Sequence, residues 1–279
     1  MEMPKRVMTI AGSNPRGAAG IQADLKTFQE HDVYGMAVIT AIVARHLQTN
    51  KNVHLLDLDA IEAQFHLART QIGIDALKTG MLFSKEIIET VAELIREANI
   101  EHVVVDPVMV GKMKSKLLKD DAIAALKDKL IPLASVITPN IHEASVLLDN
   151  RSIDSVEAMK QAAVDLYNLG AKNVLVKGGR LSGPAMDVLY DGEMLTVFEA
   201  ARIDTKNTSG AGGSYSAAGA ANLAKGLPLK EAVRRAKSFV TTAIEYGFSY
   251  DGNVGPTYHA AKRLFGETYE VKVEEEMVN

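Results

Sequence analysis

Short apolar runs recur along the chain, separated by longer stretches in which apolar residues return every three or four positions. Residues 6–10, 36–43, 75–79, 102–106, 135–138 and 173–176 are rich in Val, Ile or Leu, and polar or glycine residues follow most of them. Continuous apolar segments of this length predict strands buried on both faces. Between them the helical period takes over, over 21–31, 58–72, 84–98, 119–130 and 155–169. The second of these places Ile61, Phe65 and Ala68 on one face. The third starts with a capping Ser84 and carries Ile87, Ile88, Val91 and Ile95 at helical spacing. Strands alternating with helices imply parallel strands joined by crossovers, hence an α/β fold with three α/β/α layers and a mostly parallel central sheet.

The order changes after residue 176. Residues 187–190 and 194–199 flank Asp191-Gly192 and read as a β-hairpin. Two helices close the pattern, over 212–224 and 228–246, the second with Pro228 at its tolerated first position. Residues 53–56 suggest a small flap. No repeat or linker interrupts the pattern, so residues 1–279 are expected to form a single domain.

Composition adds exclusions. Hydrophobic residues are 47% and charged residues 24% of the 279, which argues for a packed globule and against disorder. A net charge of −4 offers no basic field to nucleic acid. No apolar window approaches the roughly 20 residues of a membrane span, and the N-terminal run at 7–10 is too short for a secretion signal. The absence of cysteine excludes disulfides, thiolate-bound zinc, iron–sulfur clusters and thiol catalysis, and it suits a reducing, cytoplasmic setting. Glu274-Glu275-Glu276 reads as part of a solvated acidic tail over about 268–279.

Two glycine-rich segments carry candidate chemistry. Ala11-Gly12-Ser13-Asn14-Pro15-Arg16-Gly17-Ala18-Ala19-Gly20 joins the first strand to the first helix, where small residues admit a ligand close to the backbone. It lacks the Gly-Lys-Ser/Thr of a nucleotide-binding P-loop, and an ordinary strand-to-helix turn explains it equally well. Asn207-Thr208-Ser209-Gly210-Ala211-Gly212-Gly213 opens a helix built almost wholly of small residues. Free backbone N–H groups there form an anion cradle suited to phosphoryl transfer; the alternative is a tightly packed helix with a glycine start. Other polar residues stand at predicted carboxyl ends of strands, where ligands bind in open α/β sheets. Asp106, Asn140 and Glu143 together form an oxygen set that suits Mg²⁺ held through water, and Lys177 suits a phosphate. Asn140-x-x-Glu143 also reads as a helix-capping pair, and both readings stand together. The seven histidines show no metal-pair spacing; His259, after Gly255-Pro256, is the one to watch.

Taken together, these stretches resemble the hydroxymethylpyrimidine/phosphomethylpyrimidine kinase family. The resemblance is carried in order by Thr9-Ile10-Ala11-Gly12-Ser13, Gly20-Ile21-Gln22-Ala23-Asp24-Leu25-Lys26-Thr27-Phe28, Lys78-Thr79-Gly80-Met81-Leu82, Val105-Asp106-Pro107-Val108-Met109, Thr138-Pro139-Asn140 with Glu143, Lys177-Gly178-Gly179, Asn207-Thr208 with Gly210, and Val254-Gly255-Pro256 with His259. Phe28-Gln29-Glu30, Val33-Tyr34-Gly35-Met36 and Asp187-Val188-Leu189-Tyr190-Asp191-Gly192 are similar to the Gram-positive pyridoxine/pyridoxal kinases of that group.

The resemblance implies a ribokinase-like fold, a homodimer, and transfer of the ATP γ-phosphoryl group to a hydroxymethyl group on a pyrimidine or pyridine ring. It implies that Lys177, Asn140, Thr208, Gly210 and Gly212 face ATP, and that Asn140 with Glu143 organises Mg²⁺ and phosphate. Gly210, Ala211, Gly212 and Gly213 would form the anion hole. Substrate would lie near Gly12, Asp24, Val43, Arg45, Met81 and Val108. Three departures qualify this. The family's Ser-Asp-x-Ser-Gly-Gly-Ala-Gly loop is replaced by Ser13-Asn14-Pro15-Arg16-Gly17-Ala18-Ala19-Gly20. The cysteine to which the family's hydroxyl activation is assigned is replaced by Gly213. Arg45 stands where the thiamine-type members have Gln and the vitamin B6-type ones often Met. The alternatives are a catalytically weakened ligand-binding homologue, or a kinase for another, anionic alcohol met by Arg16 and Arg45.

Overall fold

The computed structural model describes residues 3–44, 53–109, 118–250 and 252–278. In chain order its elements are β1 (Arg6–Ser13), α1 (Ile21–Glu30), β2 (Tyr34–Val43), β3 (Val53–Leu55), α2 (Leu58–Gln71), β4 (Ala76–Thr79), α3 (Lys85–Ala98), β5 (His102–Val105), α4 (Asp120–Ala125), β6 (Val136–Ile137), α5 (Ile141–Leu147), α6 (Val156–Tyr167), β7 (Val174–Lys177), β8 (Ala185–Tyr190), β9 (Met194–Ala200), α7 (Ala211–Ala224), α8 (Leu229–Glu245), α9 (Ala261–Phe265) and β10 (Lys272–Met277). The strands form one sheet in the order β10-β9-β8-β7-β6-β5-β4-β1-β2-β3. From β2 through β1, β4, β5 and β6 to β7 the pairing is parallel. The hairpin β8–β9 and the flap strand β3 add antiparallel edges.

Alternation along the strands explains the three layers, because successive side chains leave a strand on opposite faces. Leu77, Val103, Val105, Val174 and Val176 join Ile61 and Phe65 of α2 and Ile88 and Val91 of α3 in one apolar cluster. Their strand neighbours Ala76, Val104 and Leu175 join Phe28 of α1, Tyr215 of α7 and Phe239 of α8 in a second. Helix α3 shows how the sequence sets such a layer. Ser84 accepts from the Ile87 N–H at 3.3 Å at its start, and Asn99 takes the left-handed conformation (φ 49°) at its end. Its buried Ile87, Ile88, Val91 and Ile95 each contribute about 1.5–3 kcal/mol of burial.

The structure departs from the sequence pattern at three places. The helix expected over 119–130 is α-helical only through Ala125; Leu126–Leu130 forms a wider π turn and Ile131–Leu133 a 3₁₀ turn containing Pro132, which has no N–H to continue the ladder. The short α9 had no distinct signal. The acidic C-terminal stretch is not a free tail: Lys272–Met277 pairs antiparallel with β9 while its side chains stay exposed. Among the described residues no helix is long and apolar enough to cross a membrane.

Candidate active site

The two glycine-rich segments, about 190 positions apart in the sequence, meet at the carboxyl edge of the parallel strands. Gly210 has φ 85°, and a Cβ there would lie 1.8 Å from the Ala18 carbonyl oxygen, so only glycine permits this approach. Gln22 fixes the first segment, accepting from the Asn14 N–H at 2.8 Å and donating to Ser13 Oγ at 2.7 Å. Helix α7 then begins at Ala211 with no side-chain cap. The Ala211 N–H reaches the Thr208 carbonyl at 3.3 Å. The N–H groups of Gly212 and Gly213 follow as second and third in the helix, positions that have no acceptor within it. Thr208 therefore shapes the cradle through its carbonyl, and Gly212 and Gly213 supply its donors.

Lys177 ends β7 directly beside this helix start. Its Nζ donates to Asp106 Oδ1 at 2.9 Å, and a Cβ on Gly212 would come within 3.4 Å of it. Burial pushes the Lys177 ammonium down, but the carboxylates of Asp106 and Glu143 outweigh burial and hold it above its ordinary value. Glu143 is 4% exposed, and burial, reinforced by Asp106, raises it to about 7. Asn140 is the N-cap of α5: its side chain accepts from the His142 and Glu143 N–H groups, while Glu143 Oε2 accepts from the Asn140 N–H at 2.9 Å. The capping box thus fixes Glu143 facing Asp106 and Lys177. The capping reading of Asn140 and Glu143 is realised, with the Asn140 side-chain oxygen and Glu143 Oε2 both engaged in the box. Among the described residues no group of three or more His, Cys, Asp or Glu side chains is placed to hold a metal. Asp106 and Glu143 remain as a carboxylate pair, which suits Mg²⁺, an ion that takes few protein ligands and completes its shell with phosphate and water.

On the other flank, Gly12 at the end of β1 approaches Met81 so closely that a Cβ would meet Met81 Cε at 2.8 Å. Thr40 Oγ1 donates to the Met81 carbonyl at 2.9 Å. Half-buried Val43 ends β2, and half-buried Val108 follows β5. Arg45 lies outside the described residues. Asp24, expected beside substrate, is fully buried next to position 213. Both of its oxygens accept from Lys78 Nζ, at 2.9 and 2.8 Å, and Oδ2 also accepts from Thr9 Oγ1 at 2.6 Å. Burial raises the Asp24 carboxyl, with Lys78 opposing. Gly213 sits above this pair. A Cβ there would lie 3.8 Å from both Asp24 Oδ1 and Lys78 Nζ, ordinary van der Waals contact, so position 213 accepts a Cβ without a clash.

Some residues escaped the sequence reading. Lys78 carried a signal, a lone cation inside a buried apolar strand. Lys237 carried a similar one on the apolar face of α8. It donates to Asp187 Oδ2 at 2.6 Å, and Asp187 Oδ1 accepts from the Gly178 N–H at 3.0 Å, anchoring the turn after Lys177. His259 proves buried, with Nε2 2.8 Å from Ser214 Oγ in the first turn of α7.

A preorganised anion cradle, a buried lysine and a carboxylate pair at the carboxyl edge of a parallel sheet are the components phosphoryl transfer requires. Comparison with known proteins agrees. The phosphomethylpyrimidine kinase family matches residues 14–258. The chain is 48% identical to the pyridoxine kinase of Bacillus subtilis over 93% of its length and 97% of the relative's. It is 41% identical to the hydroxymethylpyrimidine/phosphomethylpyrimidine kinase of Haemophilus influenzae, covering 94% of this chain and 98% of that one. Its fold matches the pyridoxal kinase of Staphylococcus aureus in complex with AMP-PCP at a TM-score of 0.91 and 40% identity, over 99% and 100% of the two chains. The chain is a ribokinase-like phosphotransferase with an alcohol acceptor. It belongs to the phosphomethylpyrimidine kinase family.

Proposed function

We propose that this chain is an ATP-dependent kinase of a heteroaromatic vitamin precursor, acting first on pyridoxine or pyridoxal and less well on hydroxymethylpyrimidine and its phosphate. The observation that carries the reading is the cradle at Gly210, Ala211, Gly212 and Gly213 beside Lys177; Gly12, Val43, Met81 and Val108 are the residues proposed to meet the substrate. The preference for the pyridine ring rests on the higher identity to a pyridoxine kinase than to the hydroxymethylpyrimidine kinase named above.

In the proposed reaction the acceptor hydroxyl oxygen bonds to the γ-phosphorus, the bond to the ADP oxygen breaks, and the hydroxyl proton is released. Lys177 neutralises the phosphate oxygens, and the Gly212 and Gly213 N–H groups receive the charge that develops on the transferring group. Thr208 and Gly210 fix the turn beside the nucleotide. Asp106 and Glu143 would hold Mg²⁺, which supplies charge neutralisation across the phosphates, and Asn140 keeps Glu143 in place. Position 213 offers no side chain to take the proton, so positioning and electrostatics bear the rate. A general base is typically worth about 10²–10⁴-fold, and slow turnover is expected.

A homodimer belongs to the same proposal; the β2–β3 edge leaves Ile42 at 44% and Leu55 at 51% exposure, apolar surface that a second copy would cover. A second reading, a ligand-binding homologue with little turnover, rests on the departures at Gly213, Asn14 and Arg45. Chromatographic detection of phosphorylated product with pyridoxine, pyridoxal and hydroxymethylpyrimidine separates the two. Product with the pyridines at higher kcat/KM supports the proposal. Tight binding of all three without product would support the second reading instead.

A further inference from the structure

A cavity of about 610 Å³ lies on the outer side of α1, across that helix from the sealed Asp24. The β1–α1 region contributes Arg16, Lys26 and Gln29 to its lining, and the segment after α8 contributes Phe248, Tyr250 and Tyr258. The volume falls in the range of small-molecule sites.

The lining has a definite chemistry. Lys26 Nζ donates to the Gly17 carbonyl at 2.9 Å, and among the described residues no carboxylate pairs with Lys26 or Arg16. Glu30 also borders the cavity, but Arg263 holds it through two contacts of 3.0 Å, which matches its charge from outside. Phe248 packs edge-to-face against Tyr250 at 5.2 Å and Tyr258 at 5.5 Å. Two cations beside an aromatic cluster select a ring that carries a negative charge.

The walls are also tied to the anion cradle. Ala18 lines the cavity, and its carbonyl is the group against which Gly210 is pressed. His259 lines it too, and holds Ser214 in the first turn of α7. A ligand filling the cavity therefore rests on residues that fix both sides of the helix start.

We propose that this cavity is an effector site for a small aromatic phosphate, separate from the kinase site and coupled to the cradle. The ligand ring stacks on Phe248 and Tyr258, and its phosphate meets Arg16 and Lys26. Two sources share this chemistry: a nucleoside monophosphate and the phosphate ester that the kinase itself would make. The second source rests on the proposed function; the site does not.

The test fills the kinase site with AMP-PCP and pyridoxine, then titrates AMP in one arm and pyridoxine phosphate in the other by calorimetry. One further equivalent binds in at least one arm, and the arm that binds names the source. In the double variant Arg16→Glu, Lys26→Glu this affinity falls at least about ten-fold, as loss of charge-assisted contacts requires. Hydrogen exchange over residues 209–215 slows on binding in the wild type and not in the variant. No additional equivalent in either arm, or equal affinity in the double variant, overturns the proposal. Failure of AMP-PCP to bind in the first step would instead count against the kinase reading.

Discussion

Two buried lysine–aspartate pairs flank the start of α7, and they differ in what else they touch. Lys78 places Nζ on both oxygens of Asp24, and Thr9 adds a third bond, with side-chain exposures of 2% and 0%. Lys177 meets a single oxygen of Asp106, retains 10% exposure, and has Glu143 and the Gly212 backbone beside it. The first pair is internally satisfied and ties α1 to β4. The second is split between two groups, since Lys177 Nζ donates to Asp106 Oδ1 at 2.9 Å and to the Gly212 carbonyl at 3.5 Å. The same residue types thus differ in where their bonds go: Lys78 gives both to one carboxylate, whereas Lys177 divides its bonds between Asp106 and the start of α7, the side on which the proposed chemistry falls.

Breaking the framework pair has the largest expected effect. Lys78→Met leaves the Asp24 carboxylate buried without its cation and lowers stability by about 3–5 kcal/mol in urea unfolding. The double variant Lys78→Met, Asp24→Asn recovers most of that loss. If the single variant is as stable as wild type, Lys78 is not what holds Asp24. Breaking the chemical pair acts on rate instead. Lys177→Gln lowers kcat/KM by about 10²–10³-fold, the scale of one lost electrostatic donor to the transition state; a decrease of less than a few-fold would remove Lys177 from the mechanism.

A smaller effect sharpens the contrast, because it comes from buried groups outside both pairs. Burial lowers His31 and His259 to about 4, with Thr27 partly opposing at His31. Their unfolded value is near 6.5, so between about pH 6.5 and 4 the unfolded chain binds more protons and stability falls as pH falls. Each histidine contributes a slope of up to about 1.4 kcal/mol per pH unit in that window. Urea unfolding at pH 7.5 and 5.5 shows the loss, and His259→Asn removes its share. An unchanged slope in that variant would mean that His259 is charged in the fold.

Much of this architecture was legible because it is written locally. The strand runs, the Ser84 cap, the Asn140–Glu143 box and the glycine start of α7 depend on neighbouring residues, and each was found where the pattern placed it. Asp106 and Lys177 were legible through a general rule about strand ends although they are 71 positions apart. The Lys78–Asp24 pair, 54 positions apart, was not, since nothing local says which charge in an apolar strand meets which charge on a helix. Asp24 was placed near substrate only by the family resemblance, and its pairing with Lys78 is what the structure adds. The C-terminal strand was missed for a different reason. Edge strands carry charge that discourages pairing with other chains, so Glu274, Glu275 and Glu276 read as a tail while their backbone completes the sheet.

The central claim is that the cradle and Lys177 carry phosphoryl transfer without a side-chain base at position 213. The most direct measurement is the rate of pyridoxine phosphorylation with Mg²⁺ and ATP by the wild type beside Gly213→Cys, where a Cβ meets Asp24 Oδ1 and Lys78 Nζ at 3.8 Å. The account predicts slow but real turnover by the wild type and a rise of about 10²-fold or more in the variant, within the range a general base supplies. Equal rates in the two proteins, or no phosphorylated product from the wild type with any of the three alcohols, would contradict it.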